Sequence, residues 1–210
     1  LRLGGKNILS VLIYHRITNV FQDGMAVSID AFERHVRFLK KHYHILSAAD
    51  LNDLLDGGMR FKRKKCVLIT FDDGYEDNYT NALPILEKYS CPAIFFVTTG
   101  LIGTDKQFEH DNKYQPQFFF KKMTWEQLQK AMLLRIDVGI HSDTHANLGR
   151  ISLNDAIGEI ETSIVKYREH LNKDPKLMAY PFGGGKDISE EVVSYIRNNQ
   201  YITILFSAYG

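Results

Sequence analysis

The sequence predicts an α/β fold: one domain spanning residues 1–210, built as a TIM-like (β/α)7 barrel that is incomplete or distorted because it has seven strands where eight would close it. Three observations lead there. Seven short, β-branched apolar runs alternate with segments of helical periodicity. The central runs are almost continuously hydrophobic, as parallel strands covered by helices are. The residues with chemistry to offer fall at the C-terminal ends of several runs, where the loops of a barrel converge on one mouth.

In order, the apolar runs are NILSVLIYH (7–15), YHIL (43–46), CVLITF (66–71), AIFFVTT (93–99), RIDVGIH (135–141), LMAYPF (177–182) and YITILFS (201–207). Helices fill the gaps. SIDAFERHVRFLKKH opens on a Ser–Asp cap and puts Phe32, Val36 and Leu39 on one face; SAADLNDLLDGG starts at Ser47 and stops on a glycine pair. EDNYTNALPILEKY, TWEQLQKAML, SLNDAIGEIETSIVKYREHL and ISEEVVSYIRNN continue the alternation, with Ser152/Asp155 and Thr124/Gln127 at capping-box spacing. The segment 100–123, GLIGTDKQFEHDNKYQPQFFFKKM, is too long for an ordinary connection. Its four Phe and one Tyr read either as an excursion packed onto the barrel top or as a cleft wall on which sugar rings stack.

With 44% hydrophobic residues the chain has ample material for a core, and its net charge of +1 gives no reason to expect nucleic acid or an anionic membrane as partner. The basic run RFKRKK (60–65) precedes a strand and reads as a solvated turn. Two cysteines, Cys66 and Cys91, rule out a disulfide framework and read as buried thiols, with a single bridge left open. No apolar run approaches the roughly 20 residues of a membrane span. The first residues, LRLGGKNILSVLIYH, lack a signal-peptide cleavage pattern, although a chain starting at Leu leaves room for a leader already removed. The abrupt end at SAYG leaves room for a further strand or tail, and oligomeric state has no signature in the sequence.

The chemistry begins where CVLITF runs into Asp72 and Asp73. Adjacent carboxylates repel and are costly to desolvate, so a strand tip carrying both needs solvent, a donor network or a cation. IHSDTH supplies His141 and His145 four residues apart, close enough for both imidazoles to face one point. Two imidazoles and a carboxylate suit Zn²⁺ or a similar divalent ion, and three ligands leave an open position for water, the mark of a catalytic site. One aspartate would then ligate while the other takes a proton from metal-activated water; the residues alone do not say which. The glycine-rich YPFGGGK is suited to present backbone N–H groups to a developing oxyanion. His15, at the end of the first strand and on the same rim, is the candidate acid for a departing amine. His35, His42, His44, His110 and His170 read as structural or solvated.

TFDDG (70–74), HSDTH (141–145) and AYPFG (179–183), in that order, resemble the signature blocks of the polysaccharide deacetylases, the NodB-like domain of carbohydrate esterase family 4. The resemblance implies a distorted (β/α)7 barrel that removes N-acetyl groups from amino-sugar polymers with a divalent metal, commonly Zn²⁺, with Co²⁺ or Ni²⁺ as alternatives. It implies Asp73, His141 and His145 as metal ligands, Asp72 as the base, and Tyr180, Pro181, Phe182 and Gly183 as the oxyanion and substrate-binding turn. Two departures stand out. Ala179 occupies a position where many members carry an Arg, and no His follows His170 to serve as the C-terminal catalytic histidine. LIYHRI resembles the N-terminal element that replaces that histidine in a circularly permuted subgroup, which includes deacetylases of β-1,6-linked poly-N-acetylglucosamine; this again points to His15. The expected partner is an amino-sugar polysaccharide or oligosaccharide. An O-acetyl esterase or small-amide hydrolase using the same site, and a non-catalytic glycan-binding barrel, are the alternatives. The expected setting is extracytoplasmic or envelope-associated if a leader was removed, and cytoplasmic otherwise.

Overall fold

The computed structural model describes residues 2–3, 7–57 and 65–208, so residues 60–64 of the basic run lie outside the described residues. All seven expected runs contain strands, and three more two-residue strands join them among the described residues. In chain order the strands are β1 (Arg2–Leu3), β2 (Asn7–Tyr14), β3 (Arg16–Ile17), β4 (Ala26–Val27), β5 (His44–Ile45), β6 (Cys66–Phe71), β7 (Ala93–Val97), β8 (Ile136–Ile140), β9 (Leu177–Ala179) and β10 (Ile204–Phe206). The helices are α1 (Ile29–His42), α2 (Ala48–Leu55), α3 (Leu83–Lys88), α4 (Glu109–Tyr114), α5 (Trp125–Met132), α6 (Leu153–Leu171) and α7 (Glu190–Arg197). The main sheet runs β1-β2-β6-β7-β8-β9-β10, with β5 also beside β6; β3 and β4 form a separate pair. The chain divides into two compact units, Leu1–Phe95 with Gln127–Asp137, and Phe96–Glu126 with Val138–Gly210. The boundary falls inside β7.

In the first unit β6 is the axis, buried at all six positions. It pairs in parallel with β2 from Leu9↔Cys66 to Tyr14↔Phe71, with β5 at its start and with β7 at its end. Burial on both faces is why this run does not alternate. Tyr14, Phe32, Phe71 and Phe95 pack ring to ring at 5.1–5.6 Å. α1 buries Phe32, Val36 and Leu39 behind a Ser28 cap, and α2 begins in a Ser47–Asp50 capping box. The helix expected over 76–89 is divided: Asn78–Ala82 is a π-helical turn leading into α3. Pro84 cannot donate to the preceding turn. The widened turn lets Asn78 and Asn81 donate to the carbonyls of His15 and Ile17, each at 2.7 Å. Cys66 and Cys91 are both buried thiols, and no disulfide joins them.

In the second unit β9 lies parallel between β8 (Ile140↔Met178) and β10 (Leu177↔Ile204 to Ala179↔Phe206). Gly139 is required here, because a Cβ would meet the Phe96 ring at 2.6 Å. α6 starts at the Ser152 cap and ends on Asn172 in the left-handed conformation. The long segment 100–123 contains α4, where the sequence predicts loop. Within it Phe108 and Phe120 are buried while Tyr114 and Phe119 are exposed.

Candidate metal centre

The ladder between β2 and β6 runs one residue beyond the strands, with the Asp72 N–H donating to the Tyr14 carbonyl at 2.9 Å. Asp72 and His15 therefore follow paired residues and emerge at the same end of the sheet. Both aspartates are deeply placed, Asp72 8% and Asp73 1% exposed. Burial, reinforced by the neighbouring Asp73 charge, holds the Asp72 carboxyl well above the usual carboxylate range. Asp73 has φ of 77°, a left-handed conformation rare outside glycine, and Gly74 follows at 84°. No side chain among the described residues bonds to the Asp72 carboxylate.

The second block leaves β8 through the His141 N–H, which donates to the Val97 carbonyl at 2.9 Å. It is a tight loop, not a helical turn: Ser142 and His145 have φ of 59° and 66°. Side chains hold it in shape. Glu159 on α6 accepts from the Asp143 and Thr144 N–H groups at 3.0 and 2.8 Å and from the Thr144 hydroxyl at 2.7 Å. Asp143 accepts from Lys166 at 2.8 Å and from the Thr99 hydroxyl at 2.8 Å. The His145 N–H donates to Ser142 Oγ at 3.0 Å. His141 is buried with Nδ1 2.9 Å from the Ala179 carbonyl. A carbonyl only accepts, so Nδ1 carries the proton and Nε2 keeps its lone pair for a metal. Position 179 thus contributes through its backbone carbonyl.

The third block turns sharply after β9. The Tyr180 N–H donates to the Phe206 carbonyl at 3.0 Å, and the Gly183 N–H to the Pro181 carbonyl at 2.7 Å. Phe182 and Gly183 both have positive φ, and a Cβ on Gly183 would meet the Ala208 nitrogen at 2.5 Å. The Phe182 N–H has no acceptor among the described residues, so it is available to an incoming oxygen. The buried Tyr180 hydroxyl likewise lacks a partner, and burial pushes its pKa up to about 12. The Phe182 ring meets the His145 ring edge-on at 4.8 Å; Phe108, His110 and His141 stand 5.2, 5.6 and 5.0 Å from it.

Asp73, His141 and His145 each offer one ligand atom, and these atoms lie within 4.8 Å of one another. One carboxylate oxygen and two imidazole nitrogens form a donor set that fits Zn²⁺ and its neighbours. Asp72 adjoins this group in sequence, His15 ends the strand paired with that of Asp72, and Tyr180–Gly183 form the turn whose Phe182 touches His145. The sequence reads His110 as structural or solvated and Phe108 as one aromatic of the long segment, whereas the structure sets both rings beside His145. A lone His in a long loop has no spacing signature, and only the fold brings its ring to His145.

Fold and site together define an α/β protein with a candidate Asp–His–His metal centre. Residues 60–203, well over half of the chain, match the polysaccharide deacetylase family model, and the chain belongs to that family. Over 191 residues, 87% of this chain and 62% of the relative, it is 28% identical to the poly-beta-1,6-N-acetyl-D-glucosamine N-deacetylase of Staphylococcus aureus (strain N315). The chain spans 57% to 62% of the length of the curated relatives it matches. Among solved structures, IcaB from Ammonifex degensii superposes with a TM-score of 0.77 at 24% identity, covering 95% of this chain and 83% of that one. The Streptococcus pyogenes deacetylase PplD in complex with acetate superposes at 0.75 and 24% identity, covering 92% and 80%. These likenesses place the chain in the expected fold class, the distorted (β/α)7 barrel of the polysaccharide deacetylases.

Proposed function

We propose that this chain is a metal-dependent N-deacetylase acting on N-acetylglucosamine-containing polysaccharide, with residues 1–210 serving as one deacetylase domain. The observation that carries the reading is the gathering of Asp73, His141 and His145 beside a second buried aspartate, in a chain of the polysaccharide deacetylase family. Held by these three side chains, Zn²⁺, or Co²⁺ or Ni²⁺ in its place, supplies a Lewis acid that polarises an acyl oxygen and lowers the pKa of water. Asp72, whose burial raises its affinity for a proton, is the base that deprotonates the attacking water. The Phe182 N–H, presented by the turn of Tyr180, Pro181, Phe182 and Gly183, donates to the acetamide oxygen as charge builds on it. His15 protonates the departing amine. The bond from His141 Nδ1 to Ala179 sets the tautomer that leaves Nε2 for the metal. The name of the staphylococcal relative supports β-1,6-linked poly-N-acetylglucosamine as the substrate class, and such a polymer calls for an extracytoplasmic or envelope-associated setting.

The test is acetate release from N-acetylglucosamine oligomers of β-1,4 and β-1,6 linkage, after chelation and after adding back Zn²⁺, Co²⁺ or Ni²⁺. The reading expects release that stops with chelator and returns with metal. Oligomers left intact by a protein carrying a full equivalent of metal would overturn it, and acetate from O-acetylated sugars alone would turn the assignment to an esterase.

A further inference from the structure

Beside His145 the second unit opens into a cleft of about 760 Å³, within the roughly 300–1,000 Å³ typical of ligand-binding clefts. The signature blocks contribute His145 and Phe182 to its lining. A further wall comes from the 100–123 segment, where α4 brings Glu109, His110, Lys113 and Tyr114. That wall is anchored. Lys122, fully buried, donates to the Phe120 carbonyl at 2.6 Å, lies 4.8 Å from the centre of the Phe108 ring and reaches within 3.9 Å of Asp111, itself buried. His110 stacks on Phe108 at 5.0 Å with the rings only 13° from parallel.

The anchored wall presents rings to solvent. Tyr114 is 69% exposed, and Phe182, lining the same cleft, is 55% exposed while held at a φ of 64°. Large exposed aromatics beside a catalytic centre suggest a ligand that covers them, and a left-handed phenylalanine holds strain of the kind found at functional sites. The charges in the cleft balance: Lys113 and Arg150 against Glu109 and Asp187. Arg150 already pairs with Asp187 at 3.1 Å, and the Lys113 ammonium lies 5.2 Å from the centre of the Tyr114 ring. A polyanion would face the two carboxylates, whereas an uncharged pyranose meets ring faces for its C–H surface and polar groups for its hydroxyls.

We propose that this cleft is a subsite for an uncharged sugar ring of the polymer, next to the residue whose acetamide lies at the metal centre, with Tyr114 as its stacking platform. This rests on the amino-sugar reading above. The probes are a β-1,6-linked N-acetylglucosamine pentamer and 4-nitrophenyl acetate, an ester small enough to need only the metal centre, with wild type, Tyr114→Ala and Tyr114→Phe. Tyr114→Ala should raise KM for the pentamer about three- to tenfold, the scale of one aromatic contact. Ester turnover and the thermal midpoint should be unchanged, and Tyr114→Phe should restore the low KM. KM for the pentamer should also change less than about twofold on raising salt, since the ligand is uncharged. An unchanged pentamer KM in Tyr114→Ala, or a steep salt dependence, overturns the subsite while leaving the deacetylase reading intact. If wild type hydrolyses the ester and releases acetate from neither the β-1,6 pentamer nor its β-1,4 counterpart, the amino-sugar reading falls and takes the subsite with it, a failure visible before any variant is compared.

Discussion

The two turns that carry the candidate ligands are held by different means. The turn after β6 prolongs its strand: Asp72 still donates to the β2 carbonyl, and Asp73 and Gly74 reverse the chain only afterwards. The turn after β8 leaves its strand within one residue and depends on side chains, with Glu159 and Lys166 reaching from α6 and Ser142 bonding within the loop. A ligand on a strand extension is supported by the backbone ladder, which no single side-chain change removes. A ligand on a stapled loop is as firm as its staples.

The comparison is broken most sharply at Glu159. Glu159→Ala strips three donors of their acceptor; it should weaken metal binding about 10- to 100-fold and cost about 1–3 kcal/mol of stability, read by metal titration and urea unfolding. Wild-type affinity in this variant would show that the loop holds itself. Lys166→Met leaves the buried Asp143 with Thr99 as its remaining side-chain partner and should cost about 1–2 kcal/mol, with a smaller loss of metal affinity.

On the β6 side, Asp77 provides a test that needs no metal. Burial pushes its carboxyl up to about 7, against the Ile17 N–H and Arg16, which pull it down. A carboxyl whose folded pKa lies above its unfolded value contributes stability that is complete below the unfolded value near 3.8 and is lost as pH rises through about 7. Wild type should therefore lose stability relative to Asp77→Asn between pH 4 and 8; parallel profiles would remove Asp77 from the account. The smallest effect belongs to Ser142→Ala, about 0.5–1.5 kcal/mol for one hydrogen bond to the His145 N–H.

Much of this was legible in the sequence because it rests on periodicity. The apolar run 66–71 is buried at every position, Phe32, Val36 and Leu39 form the inward face of α1, and Ser28, Ser47 and Ser152 cap the helices they precede. The π turn at Asn78–Ala82 was hidden, since one extra residue in a turn barely alters the pattern of apolar side chains. α4 was hidden because its six residues, EHDNKY, carry no apolar stripe. The left-handed conformations of Asp73, His145 and Phe182 leave no mark in composition; they are imposed by the strands and staples on either side. Sequence also could not separate Asp72 from Asp73, because adjacent residues of the same type differ only in where the backbone points them.

That pair carries the central claim, and metal titration of two single variants tests it most directly. With Asp73 as ligand and Asp72 as base, Asp72→Asn should bind one equivalent of Zn²⁺ with near wild-type affinity while releasing no acetate, and Asp73→Asn should lose the metal and the activity together. Loss of metal in Asp72→Asn with full binding by Asp73→Asn would contradict the assignment.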